Sequence, residues 1–252
     1  MKKAIILGSI ALAASSNAAI VYDSIFTTAA QSTFHTLTNT GSVPRHTQGD
    51  NISLAALPAN ANAYRIDSLT FGVVNRSGST YAGVLDVTAT LFSTVTTGSS
   101  ATTPVFSNPI VSGNLSYNMS AFGSGTGLAN NTVGFLSVNF TNTFVNGVAL
   151  TSPSLGVQFT TRINGVVVDT MPILLTTMPT GTQLYAGSST NGFYRDASGD
   201  TILQQNEART LGGVDSNVGL IVNATAVPEP ASMIAIGLGI AGLAAKRRRK
   251  TA

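Results

Sequence analysis

Apolar and polar residues alternate along much of this chain with a period of two. Leu69, Phe71 and Val73 fall on one face of "YRIDSLTFGVV". In "VLDVTATLF", Leu85, Val87, Ala89 and Leu91 oppose Asp86, Thr88 and Thr90. The same alternation returns with Leu136, Val138 and Phe140, and again with Leu155, Val157 and Phe159. Successive side chains of a strand point to opposite sides, so each run predicts a strand with one buried face. Turn clusters separate them: "NRSGST", "TTGSSATTP", "GSGTG" and Asn164-Gly165, the last suited to a type I′ hairpin. "GLIVNATA" from Gly219 predicts a closing strand, whereas Ala29 to Asn62 shows little periodicity and reads as long loops. About ten strands with no βαβ alternation predict an all-β, two-sheet β-sandwich. No repeat of solenoid length interrupts the pattern.

A chain of 252 residues can bury a core without disulfide staples, and this one has no cysteine. The formal charge of +3 misplaces the balance. Lys2, Lys3, Lys246, Arg247, Arg248, Arg249 and Lys250 all lie in the end segments. Residues 19–226 hold six arginines, no lysine and nine acids, a net −3. Such a body lacks the basic footprint that nucleic acid requires.

The two ends read as addresses. Residues 1–18 have the form of a signal peptide: Lys2 and Lys3, an apolar run from Ala4 to Ala14, and a small-x-small cleavage site at Ser16-Asn17-Ala18, which would expose Ala19. Residues 227–252 begin with Val227-Pro228-Glu229-Pro230, an extended and accessible stretch. The uncharged segment Ala231 to Ala245 follows, then the basic stop Lys246, Arg247, Arg248, Arg249, Lys250. Fifteen residues make a helix of about 22 Å against a ~30 Å hydrocarbon core, so it could span only with help, its cations staying cytoplasmic. A plain membrane anchor would have the same topology. The order of the Pro-Glu-Pro motif 228–230, the short helix 231–245 and the basic tail 246–250 resembles the PEP-CTERM sorting signal of exported bacterial proteins. That resemblance implies a membrane protease-transpeptidase, exosortase, as partner, transient insertion in the inner membrane, and delivery to the cell envelope or an extracellular polysaccharide (biofilm) matrix. The strand order of the body, 19–226, resembles the jelly-roll-type ectodomains found upstream of such tails.

Candidate chemistry is sparse. His35 and His46, with Asp50, match no zinc spacing. "GSGTG" lacks the length and the lysine of a phosphate loop. In "DASGDTILQQNE", Asp196, Ser198, Asp200 and Glu207 occupy positions 1, 3, 5 and 12 of a calcium loop, with Leu203 at the apolar position 8. Thr201 stands where such loops need glycine. The other reading is a hairpin: strand "FYR", a turn with Gly199 left-handed, and strand "TIL". Phe193, Tyr194 and Tyr185 form either a sugar-stacking platform or half-buried sheet. The expectation is therefore a non-enzymatic surface or matrix protein without a cofactor. Its rivals are a calcium-stabilised lectin-like module that binds polysaccharide, and an extracellular hydrolase.

Overall fold

The computed structural model describes residues 18–25, 33–35, 47–58, 61–146, 154–178, 186–209 and 215–228. The described residues are all-β, with 63% of them in strands. The described strands, in chain order, are β1 (Ala19–Asp23), β2 (Thr33–His35), β3 (Thr47–Ser53), β4 (Ala61–Val74), β5 (Val84–Val95), β6 (Phe106–Asn118) and β7 (Val133–Asn146). They continue with β8 (Ser154–Ile163), β9 (Val166–Val167), β10 (Leu175–Met178), β11 (Ser188–Arg195), β12 (Ala208–Arg209), β13 (Asp215–Val218) and β14 (Leu220–Pro228). Every ladder between them is antiparallel. Among the described residues no helix is long and apolar enough to cross a membrane.

Two large sheets carry the core. One has the order β1-β14-β4-β7, the other β12-β11-β3-β8-β5-β6, with β9 paired to β8. The alternating positions are the ones that meet between them: Leu69, Phe71 and Val73 of β4 and Leu136, Val138 and Phe140 of β7 join Leu85, Val87, Ala89 and Leu91 of β5 and Leu155, Val157 and Phe159 of β8 in one buried cluster. Phe71 and Phe159 touch across the seam, ring centroids 4.8 Å apart. Along one side the edge strands β6 and β7 close over each other. Tyr117 donates its hydroxyl to the Ser137 carbonyl at 2.5 Å, and burial pushes that phenol up to about 12. The hairpin at Asn164-Gly165 has φ of 52° and 77°, both left-handed as a type I′ turn requires, so β9 folds straight back on β8.

Two expectations fail, for one connected reason. A third, small sheet exists, β13-β10-β2, and β3 is a central strand in the stretch read as loop. The chain entering β10 is buried on both sides, with Met171, Ile173, Leu174 and Leu175 all inaccessible, so it shows no alternation. β3 is buried at four successive positions from Thr47 to Asp50, and its inward side chains include polar Gln48 and Asp50 beside Ile52, so no apolar period shows. Those two polar groups hold β13 of the third sheet and the segment that leads into β10. The Gln48 amide oxygen accepts from Ile173 N–H (2.7 Å), and Asp50 Oδ2 accepts from Val218 N–H (2.9 Å). His35 thus belongs to a strand paired to Leu175, while His46 lies outside the described residues.

Candidate functional site

The tail begins inside the sheet. β14 is not an edge that closes the sandwich; it lies between β1 and β4, an apolar segment buried on the core side through Leu220, Val222 and Ala224. Its ladder with β4 continues through Val227↔Ala63 to Pro228↔Ala61, past the expected end of the body at residue 226. The first proline of the motif is therefore the last residue of the strand. A proline has no N–H to give a ladder, and strand termini are where sheets accept one. On the other flank Ala19 pairs with Ala224, so β1 starts four residues short of the end of β14. Glu229, Pro230, the segment 231–245 and the basic run 246–250 lie outside the described residues, as do residues 1–17 of the leader.

The acidic segment 196–207 is the loop of a hairpin between β11 and β12, closed by Tyr194↔Ala208. "TIL" is not a strand. Ile202 and Leu203 lie in the loop, and Leu203 is buried against Val105, Phe106 and Tyr194. Asp196 is fully buried, its Oδ1 accepting from Gly199 N–H (2.7 Å) and the Ser198 hydroxyl (3.1 Å), its Oδ2 from Thr201 N–H (2.9 Å). Glu207 reaches back across the loop. Its Oε1 accepts from Ala197 N–H (2.5 Å) and Ser198 N–H (3.2 Å), its Oε2 from Gln204 N–H (2.8 Å). Asp196, Ser198 and Glu207 are thus gathered, whereas Asp200 points outward and accepts from Ile202 N–H and the Gln204 amide. Five backbone N–H groups that a tight loop leaves without ladder partners are satisfied by two carboxylates. Among the described residues no three His, Asp or Glu side chains are grouped to hold a metal ion. Gly199 is left-handed at φ 80°, as the hairpin reading expects; Thr201 is left-handed too, at φ 66°.

The aromatic platform is not available to a ligand. Phe193 is in the main core, and Tyr194 on the opposite face is covered in a second small core. There Phe106 stacks on Phe92 and meets Tyr194 edge-on, with centroids 5.6 Å apart in both pairs. Tyr185 lies outside the described residues. Sequence reasoning missed a buried polar group beneath β3: Asp50 and Tyr22 are fully buried there, and Asp50 Oδ1 and Asn217 Nδ2 have no hydrogen-bond partner among the described residues. Burial pushes the Asp50 carboxyl well up, and burial followed by the Asp50 charge does the same to the Tyr22 phenol.

Residues 226–249 match the PEP-CTERM protein-sorting motif. The match spans the Pro-Glu-Pro motif, the uncharged segment and the basic residues through Arg249, the same tripartite order seen in the sequence. The chain is thus an exported protein of the cell envelope with an all-β, sandwich-like body, carrying a C-terminal signal of the kind that exosortase processes. No curated protein matches it. Solved structures similar to it include the VP2 protein of infectious bursal disease virus in derived T=1 particles, as a single-residue mutant (12% identity, 79% of this chain and 41% of that one, TM-score 0.24). A second structure of T=1 particles derived from that virus shows 14% identity over 87% and 48% of the two chains, TM-score 0.20. This chain spans less than half the length of either.

Proposed function

We propose that this protein is a non-catalytic building element of the cell surface or extracellular polysaccharide matrix, delivered as a membrane-held precursor and matured by cleavage at its tail. The reading is carried by the sorting motif at 226–249. It is supported by how the body uses its buried acids. Asp50, Asp196 and Glu207 each accept from backbone N–H groups and hold strands and a loop in place. The precursor would sit in the inner membrane by residues 231–245, with exosortase as its processing partner. A jelly-roll-like path for the sandwich belongs to the same proposal.

Mass spectrometry of the surface or culture fraction tests the maturation. The mature chain is expected to begin at Ala19 and to lack Arg247, Arg248 and Arg249. Replacing Pro228, Glu229 and Pro230 by alanine should hold the precursor in the membrane, since the recognised element is gone and the apolar segment remains. Surface protein that keeps the three arginines would leave only a simple anchor.

A second reading, a calcium-stabilised carbohydrate-binding module, keeps one specific support. Thr201 adopts the left-handed conformation that a calcium loop demands at its sixth position. Thermal melts in millimolar calcium and in chelator separate the two readings. Coincident curves are expected, because Asp196 and Glu207 already face N–H donors; a calcium-dependent rise abolished by Asp196→Ala would favour the second reading.

A further inference from the structure

We propose that the end of the β14-β4 pair that carries Asn62 and Pro228, with the start of β1 four residues behind it, is the face that the precursor body presents to the lipid surface. The inference rests on the reading of 231–245 as a membrane segment and adds which part of the body meets the bilayer.

The register makes the first argument. β1 runs antiparallel to β14, with Ala19 opposite Ala224, and β14 runs antiparallel to β4, with Pro228 opposite Ala61. The start of β4 and the end of β14 therefore share one end of the sheet, and β1 starts on the same side of it, four residues short of Pro228. Chain length makes the second. Ala231 opens the uncharged segment three residues beyond Pro228, and three extended residues reach about 10 Å at most. On the other side the apolar run that ends at Ala14 lies four residues before Ala18, about 14 Å of extended chain. Both segments with an affinity for hydrocarbon thus leave from the same end on short leads, and the tail holds that end close to the headgroups.

The chemistry of this end suits that neighbour. No charged residue occurs in 18–22, 54–64 or 220–228. Ala18, Ala19, Ile20, Ala56 and Pro58 are exposed, Ile20 at 41%. The loop that carries Ala56 is fastened to this end: Tyr64 donates its hydroxyl to the Ala56 carbonyl (3.1 Å), and Ala55 N–H bonds to the Val21 carbonyl (2.7 Å). The first charges along β4, Arg65 and Asp67, pair with each other at 2.9 Å. Burying small apolar groups at the interface is favourable, whereas a charge carried there would be costly. The far end of β4 differs. Its fourteen residues, at ~3.3 Å each, place the Asn75–Thr80 loop about 40 Å away. That loop is polar, with Arg76 donating to Asn131 and Gly78 N–H to Asn130.

The chain has no cysteine, so single labels are straightforward. Full-length precursors carrying Ala56→Cys, Asn62→Cys or Ser79→Cys, all exposed positions, are labelled with a small fluorophore and reconstituted in phosphatidylethanolamine–phosphatidylglycerol vesicles with headgroup spin-labelled lipid. The expected result is loss of most fluorescence at 56 and 62 and little loss at 79. Equal loss at all three positions, or loss only at 79, overturns the proposal while leaving the membrane reading of the tail intact. Precursor that does not float with the vesicles overturns both.

Discussion

Thr201 is the most strained residue of the acidic loop. A β-branched side chain at φ 66° crowds the backbone, and the conformation persists because Asp196 accepts the Thr201 N–H while Gln158 donates to its carbonyl (3.2 Å). Thr201→Gly removes a penalty of about 1–2 kcal/mol and adds about 0.5–1 kcal/mol of chain entropy to be lost on folding. The variant should melt about 1–4 °C higher, a shift within reach of differential scanning calorimetry. Asp50 should show a different signature. Its folded carboxyl titrates above the unfolded one, so the native state binds the proton more tightly. Its contribution is fully present below the unfolded value, near pH ~4, and is lost as pH rises through the folded value. Asp50→Asn keeps an oxygen for Val218 N–H and has no charge to desolvate. Urea midpoints across pH 4 to 8 should therefore fall less steeply in the variant than in the parent, and the variant should be the more stable at pH 7. Parallel profiles would refute the account.

Among the elements, β3 and β8 support the second core with absent side chains. A Cβ at Gly156 would strike the Phe106 ring, and one at Gly49 would lie 2.6 Å from both Phe106 and Leu203. The glycines let the ring lie flat on the sheet. Gly156→Val should cost about 1–3 kcal/mol through overpacking. In a Phe106→Ala background the cost should largely vanish, since the ring that is struck is gone. Denaturation of the two single variants and the double variant gives the coupling, and additivity would refute the contact. The same strands show where sequence reading stops. β4, β5, β7 and β8 were legible because one face is apolar and the other polar. β3 was not, because Gln48 and Asp50 point inward to hold backbone N–H groups of the segment before β10 and of β13, a relation that no local period encodes. The outward Tyr194 was legible as sheet but not as core, because periodicity cannot distinguish a face in water from a face roofed by a loop. The tail was legible because a processing enzyme reads it as a linear signal, and such a signal lies entirely in residue order. Its merger with β14 depended on pairing partners some 160 residues upstream at Ala61–Phe71, and was not.

For the molecule as a whole, the last described strand is also an interior one. Residues 19–219 keep every other strand but leave β1 and β4 without their shared partner, which removes Leu220, Val222 and Ala224 from the core. That chain should show no cooperative melt by circular dichroism, whereas residues 19–228 should melt as one unit. A cooperative transition in the shorter chain would mean that β14 is dispensable.

This placement sets a clock on export. A chain threaded outward from its N-terminus delivers β1 early, but Ala19 must wait for Ala224 before its ladder can form. During that interval the facing edges of β1 and β4 are open, and long-range pairing of this kind is slow and prone to association between chains. The wait ends only a few residues before the uncharged segment follows. The strand that completes the sheet and the proposed membrane segment thus arrive together. On the function proposed above, with 231–245 holding the precursor in the membrane, each body would close its sheet while still moored there, kept apart from its unfinished neighbours, and would be released only after β14 had been drawn into the fold.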